Sequence, residues 1–524
     1  MSQIVYRGNL SAKAFPLLSD FQGRTVIVPG PDNTFNRSLV STQDLDRDVG
    51  VPILYYCHNV LPAPYGFSSV GYDNQIPAAG AGFQSAKILR SNALSATQNG
   101  PRFFFSPKTS GTHYTYKLGS TAWTTIPTVI PLTASTVVSY ATLQGISYIF
   151  FSGIGCYKWD SVANVLIPVT LTALVPANII GIASYQGYMI AYDESSIYWS
   201  SVLDVDYTLN SVDFTPSLTT GAGQLRPEGA RGPITVVMPA TFGLAIYTTS
   251  NIVSAVYSGN SRYPFNFREV VSSGGCTSAD LISYDANTGN QYAYTTSGLQ
   301  IVTATATQTT FPELTDFLAG QDFEDFDELT QKFNLTTLSV PMKKKLTAVA
   351  DRYLIFSYGI SSLTHAIVYD MTQKRYGKLK VAHVDCFEYE YLDPALADAP
   401  RKSIAFLKED GSVDIVNPSV TFSKSNGVLL LGKFQYVRSR LMSLEALDIQ
   451  SVHPNQSATA YDLVSDTGGT IESVRKVQGY ETSKAGQSQR TYKFHETGIN
   501  HSILLVGGFF ISSFILSFHI HGRR

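Results

Sequence analysis

The sequence predicts an all-β protein: a β-propeller of about six to eight blades, preceded by an N-terminal arm, interrupted by a short acidic helical insertion and followed by a C-terminal β-sandwich-like domain. Two observations carry that expectation. Short runs of Val, Ile, Tyr, Phe and Thr alternate with Gly, Asn, Asp and Ser turns along the chain, the pattern of antiparallel strands joined by hairpins. These hairpins recur at a spacing of about 40 to 60 residues, in the range of one propeller blade.

The central unit, residues 81–418, rests on four clear hairpins. ISYIFFSGIGCYKWD has a Ser-Gly turn flanked by Phe151 and Cys156, and YMIAYDESSIYWSS turns over Asp193 to Ser196. QYAYTTSGLQIV and SIAFLKEDGSVDIV repeat the design at Ser297-Gly298 and Asp410-Gly411. Phe151, Tyr192, Tyr247, Tyr294, Phe356 and Phe406 serve as equivalent positions of the repeat. A four-stranded unit cannot bury both of its faces alone, so such units must stack around an axis. No strict WD or kelch signature occurs.

The flanking regions break this rhythm. Residues 1–80 mix short strands with Pro and Gly, as in VLPAPYGFSSVGY and QIPAAGAGF, and read as an arm with lead-in strands or a first incomplete blade. Residues 419–524 change character again, and are expected to form the separate sandwich-like domain. Within them, residues 502–520 carry no Asp, Glu, Lys or Arg and are nearly long enough to cross a bilayer as a helix. Phe514, Leu516, Phe518 and Ile520 nevertheless alternate with Ile515, Ser517, His519 and His521, which is strand periodicity. Gly507-Gly508 fits a turn joining two strands of a terminal hairpin. No stable membrane insertion is therefore expected.

The acidic insertion is FPELTDFLAGQDFEDFDELTQKF, residues 311–333. Leu314, Phe317 and Leu318, then Phe323, Phe326 and Leu329, fall at helical spacing, with Gly320 as a break between two short helices. Seven carboxylates stand between them: Glu313, Asp316, Asp322, Glu324, Asp325, Asp327 and Glu328. The following MKKKL, from Met342, reverses the charge.

Composition narrows the function classes. Charged residues make up 15% of the chain, well below the roughly 25% of an average soluble protein, and Tyr (31) and Phe (29) are abundant. Such a surface suits a permanent assembly, where charges are costly to desolvate and aromatics favour contact. The formal net charge of −2 supplies no basic field for binding nucleic acid by counterion release. Passive passage of DNA needs no such field. Cys57, Cys156, Cys276 and Cys386 lie about a hundred residues apart with no C-x-x-C pair, and read as isolated buried thiols formed in a reducing cytoplasm. The first residues lack the basic and apolar regions of a secretory signal.

Motifs for chemistry are sparse. The cluster Asp322 to Glu328 lacks the Gly and spacing of a calcium loop, and reads as a solvated or channel-facing surface. Asp285, Asn287 and Gly289 fit an Asx-rich hairpin turn better than a metal loop. GVLLLGK, residues 427–433, nearly matches a phosphate-binding loop, but Phe434 stands where Ser or Thr would hold magnesium. There is no G-x-S-x-G elbow and no H-E-x-x-H helix. No enzyme activity, cofactor or metal is expected. Carboxylate pairs for glycoside cleavage meet only in the fold and leave no sequence signature.

Three segments, residues 261–302 with Pro264, Phe265, Phe267, Gly275 and Cys276, residues 55–72 and residues 366–379, resemble stretches of the tail nozzle and DNA-stabilisation proteins of short-tailed bacteriophages. SRYPFNFREVVSSGGCTSADLISYDANTGNQYAYTTSGLQIV is similar to their Pro-Phe-x-Phe strand leading through a Gly-Cys turn, marked here by Pro264, Phe265, Phe267, Gly275 and Cys276. YYCHNVLPAPYGFSSVGY, residues 55–72, resembles their opening segment, and AIVYDMTQKRYGKL, residues 366–379, a later blade strand. The likeness in rhythm covers residues 50–420, and in letters only these stretches. It implies a propeller protomer assembled as a homo-oligomer, a ring of six, below the head-to-tail adaptor and beside tail fibre or spike proteins. That ring would enclose the channel through which double-stranded genomic DNA leaves. The chain would be assembled in the host cytoplasm and reside in the virion. The acidic insert and terminal hairpin depart from the family pattern. Under this reading the seven carboxylates are candidates for lining or gating the lumen, where like charge would repel phosphates. The alternative is a receptor-binding or glycan-degrading tail propeller.

Overall fold

The computed structural model describes residues 3–9, 53–63, 66–90, 102–107, 109–117, 122–133, 135–202, 210–260, 263–285, 288–310, 322–327, 332–337, 343–349, 352–372, 375–393, 399–417, 427–435, 441–451, 458–465, 475–482 and 489–520. Among these residues every extended element is a strand, and the one helical turn is a 3-10 segment at Ala279–Leu281. Seven four-stranded antiparallel units follow one another along the chain. Their first strands are Lys87–Arg90, Val138–Leu143, Gly181–Tyr185, Ile234–Ala240, Ile282–Tyr284, Lys343–Val349 and Asp385–Asp393, and we number the blades 1 to 7 in that order.

The blades close into a ring because each buries an apolar face against the next. Leu89 and Ile126 of blade 1 pack with Phe151 and Trp159 of blade 2, whose Phe150 and Leu171 pack with Ile182 and Met189 of blade 3. Blade 3 continues through Ile190 and Trp199 to Ile246 and Phe265 of blade 4, and blade 4 through Tyr247 to Ile282 and Ala293 of blade 5. Ile355 and Val368 of blade 6 meet Ile404 and Phe406 of blade 7. The circuit ends where Phe387 and Leu407 of blade 7 share a cluster with Phe83 and Tyr116 of blade 1. Burying one such side chain is worth about 1.5–3 kcal/mol, and no blade could gain this alone. The architecture is therefore the expected β-propeller.

The six equivalent aromatics of the sequence repeat all fall in the second strand of blades 2 to 7. All four clear hairpins join second to third strands. The turn from first to second strand in blades 2 and 3 is Gln144-Gly145 and Gln186-Gly187, with both residues of each pair at positive φ. That is the twist-matched two-residue hairpin, and Gly at its second position avoids the Cβ clash.

Strand Gly71–Ile76 pairs with Val413–Asn417 as the outermost strand of blade 7. An early segment of the chain thus completes the last blade. Further reinforcement comes from Ser211–Asp213, which leaves blade 3 and adds in parallel to the outer strand of blade 2.

The remaining strands form two sheets. One runs Ile53–His58, Gly427–Gln435, Asn500–Gly507, Thr459–Ser465 and Arg475–Gln478. The other places Phe510–Ile520 beside Met442–Ser451 and Gln3–Asn9. The expected terminal hairpin is corrected here: Asn500–Gly507 and Phe510–Ile520 do not pair with each other but lie in different sheets. Gly507-Gly508 carries the chain from one sheet to the other, where each strand pairs along most of its length. Among the described residues no helix is long and apolar enough to cross a membrane.

The sandwich is not hung on a linker. Val60–Ala63 bridges to blade 6 at Val60 and Lys378 and pairs with Gly66–Ser69, which pairs in turn with Phe510–Ile520. Blade 6 and the second sandwich sheet are thereby parts of one twelve-stranded sheet. Asn59, at φ 51°, makes the corner: its side-chain oxygen accepts from Tyr72 Oη at 2.8 Å and from the Lys380 N–H at 2.9 Å. Asn tolerates this left-handed geometry better than most residues.

The acidic insertion is not helical where it is described, and the first expected helix, with Leu314, Phe317 and Leu318, lies outside the described residues. Asp322–Asp327 and Lys332–Thr337 are strands of an antiparallel hairpin. In a helix, Asp322 and Asp325, or Glu324 and Asp327, would stand as like charges three residues apart, and Asp is a weak helix former. The strand register instead sets Asp327 opposite Lys332 and Phe326 opposite Phe333, the pairings that stabilise antiparallel ladders.

Candidate functional site

Of the seven expected site residues, Asp322, Glu324, Asp325 and Asp327 share the hairpin strand, opposite Thr337, Leu335, Asn334 and Lys332. Glu313, Asp316 and Glu328 lie outside the described residues. The hairpin occurs in the connection from the outer strand of blade 5 to the inner strand of blade 6. Of Asp285, Asn287 and Gly289, considered as a metal loop, Asn287 lies outside the described residues, and Asp285 and Gly289 belong to a turn in blade 5 with the Gly289 N–H donating to the Asp285 carbonyl at 2.9 Å. Gly427–Gln435, the near match to a phosphate loop, is a strand. Among the described residues no group of three or more His, Cys, Asp or Glu is arranged to hold a metal.

The structure draws attention to a cluster that motif reading misses. The first strands of blades 2, 3 and 4, and those of blades 5, 6 and 7, lie side by side, and residues at or just before the starts of the first strands gather polar groups. Asp385 opens the first strand of blade 7 and is nearly buried. Its Oδ1 lies 2.7 Å from Lys345 Nζ of blade 6 and accepts from the Cys386 N–H at 2.7 Å. Its Oδ2 accepts from the Ala86 N–H at 2.7 Å, just ahead of blade 1. Lys345 also reaches Asp280 before blade 5, at 3.3 Å. One carboxylate and one ammonium therefore tie blades 5, 6, 7 and 1 together at the point where the ring must close. Burial pulls the Lys345 ammonium down, but the carboxylates of Asp385 and Asp280 outweigh it and hold the group above its ordinary range.

Lys87 and Tyr140 extend the cluster into blades 1 and 2. The Lys87 Nζ sits 5.8 Å from the Tyr140 ring centroid, and Ser85 lies near the Tyr140 hydroxyl. Lys87 is exposed. Desolvation by the surrounding protein lowers its basicity; Asp385 opposes the shift and Lys345 adds to it. Burial likewise raises the Tyr140 hydroxyl.

The outer side of the seam is riveted separately. Trp123 Nε1 donates to the Gly411 carbonyl at 2.7 Å, and Phe83 packs between Trp123 and Tyr114, with ring centroids at 5.5 and 5.2 Å. Ala79 N–H donates to the Asp410 carbonyl at 2.8 Å. Nearby, His383 is held neutral: its Nδ1 lies 2.7 Å from the Val381 carbonyl and its Nε2 2.8 Å from Ser357 Oγ. Burial depresses its pKa to about 4, so the ring is neutral, and with Nδ1 donating to the Val381 carbonyl its Nε2 accepts from the Ser357 hydroxyl.

No protein-family profile and no curated protein matches the chain. Similar solved structures include the extracellular domain of BT4673 from B. thetaiotaomicron, described as a one-component system, at 10% identity and a TM-score of 0.40, covering 84% of this chain and 58% of that one. YCF48 bound to D1 peptide gives 9% identity and a TM-score of 0.36 over 65% and 95% of the two chains. The WD40 β-propeller domain of Doa1 gives 7% and 0.35 over 66% and 97%.

Proposed function

We propose that this chain is a load-bearing wall protein of a short bacteriophage tail, a nozzle protomer whose ring retains packaged DNA and lets it pass at ejection. The observation that carries the reading is the twelve-stranded sheet joining blade 6 to the sandwich. A ring that holds DNA under pressure is weakened by any compliant linker inside its protomers. Here main-chain hydrogen bonds, not a linker, couple the propeller to the sandwich, and strand Gly71–Ile76 closes the last blade. The sequence resemblance and the low charge of the chain support the same assignment.

In this reading DNA passes through the axis of the oligomeric ring, and the acidic hairpin is the candidate to line its lumen. Carboxylates there repel phosphates, and the repulsion is only partly screened within the Debye length of about 8 Å at physiological salt. The test replaces Asp322, Asp325 and Asp327 by Asn and Glu324 by Gln. The variant folds and assembles as the parent does, while particles carrying it show altered DNA retention or release. Unchanged retention and ejection kinetics would remove the hairpin from the mechanism.

A further inference from the structure

We propose, resting on the ring reading above, that strand Gln3–Asn9 is exchanged between protomers, each copy of the chain completing the terminal sheet of the next. Phe510–Ile520 has Met442–Ser451 along one side. Its other side is shared: Gly66–Ser69 takes Phe510 and Ile511, and Gln3–Asn9 takes Ser513 to His519 in an unbroken antiparallel register. Gln3–Asn9 pairs with no other strand among the described residues. Residues 502–520 contain no Asp, Glu, Lys, Arg or Pro, so Phe510–Ile520 lacks the charges and prolines that keep a free edge from pairing indiscriminately. That edge has to be covered.

A strand delivered from the same chain or from a neighbour makes the same seven residue pairs, so exchange sacrifices no contact. The connection decides between them. Gln3–Asn9 and Ile53–His58 lie in the two different sheets of the sandwich, and such sheets pack about 10 Å apart. Residues 10–52 join the two strands, a length of chain that reaches up to about 140 Å. A link inside one protomer needs a few residues, and a link to an adjacent protomer uses the rest. In a closed ring one head-to-tail exchange repeats at every interface. Neighbours are then tied by main-chain hydrogen bonds, as propeller and sandwich are tied within one protomer.

The experiment uses the full chain and cysteine pairs across the strand. Val5 stands opposite Ser517, and Tyr6 opposite Leu516. Successive pairs of an antiparallel ladder alternate between close and wide spacing, so one of the two suits a disulfide. The four native cysteines are buried and give a quiet background. Chains carrying Val5→Cys are co-expressed with chains carrying Ser517→Cys, and assembled rings are oxidised; Tyr6→Cys with Leu516→Cys repeats the design. Denaturing electrophoresis without reductant then shows a covalent dimer that neither chain gives alone, because only a strand donated by another copy forms it. With both cysteines in every copy, exchange gives a ladder up to the whole ring. Deleting residues 1–9 raises the concentration at which half the protein is in rings by about tenfold or more. Bonds within single chains only, or no bond at either pair, in intact rings overturn the exchange and leave the nozzle reading standing. Rings undiminished by the deletion do the same, whereas a protein that never forms rings overturns both.

Discussion

Replacing Asp385 by Ala opens the ring at its closing seam. The substitution removes the partner of a Lys345 side chain that is only 17% exposed, and strips acceptors from the Ala86 and Cys386 N–H groups. Removing one member of a buried pair typically costs about 3–5 kcal/mol. Lys345 keeps Asp280, whose side chain is 61% exposed and hence a weak substitute, so the lower end, about 3 kcal/mol, is expected. Hydrogen exchange read by mass spectrometry localises the effect better than a melting curve, because a chain of this size need not unfold in one step. Peptides spanning residues 83–90 and 385–392 exchange about a hundredfold faster, at tenfold per 1.4 kcal/mol, while residues 244–256 in blade 4 keep the parent rate. Lys345→Met in the same background costs less than the sum of the two single changes, since the pair is already broken. Seam exchange unchanged in the Asp385 variant would refute the claim that this ion pair closes the ring.

Two further outcomes follow from the packing. His383 has a folded pKa depressed from 6.5 to about 4, so the unfolded chain binds the proton first: its contribution is intact above about pH 6.5 and falls progressively toward pH 4, by about 3 kcal/mol in full. His383→Phe therefore flattens the acid limb of the stability profile, and an unaltered limb in urea titrations at pH 7 and 4.5 would count against a neutral buried imidazole. At Gly275, an added Cβ would lie 2.0 Å from the Thr249 carbonyl oxygen, a backbone atom of blade 4; Gly275→Ala should cost about 3 kcal/mol and speed exchange in blades 4 and 5 together, whereas loss confined to blade 5 would show that the close approach is not limiting.

The propeller was legible because its signal is local and repeated. Tyr247 or Phe406 announces a second strand through its own alternating neighbours, and the spacing of such residues reports the blade. Gly275 and Cys276 were conspicuous as letters, and the fold supplies the reason, a backbone approach that leaves no room for a side chain. Strand Gly71–Ile76 was harder to place, since its partner Val413–Asn417 lies hundreds of residues away and nothing local names it. The acidic insert was misread because Phe323 and Phe326 sit at helical spacing in a segment too charged to sustain a helix. Asp385 and Lys345 left no trace, because an ion pair assembled from the starts of separate blades exists only once the ring is closed. The lysine run at Lys343–Lys345 was visible, yet only the strand shows that Lys343 and Lys345 belong to one face and Lys344, 3.3 Å from Tyr294 Oη, to the other.

Electron microscopy of the purified full chain, alone and mixed with a head-to-tail adaptor, tests the nozzle reading most directly. The account predicts closed rings of six protomers with an open central channel and with propeller and sandwich held at one fixed angle in every protomer. A monodisperse monomer that forms no ring even with the adaptor, or protomers whose sandwich swings freely on the propeller, would contradict it.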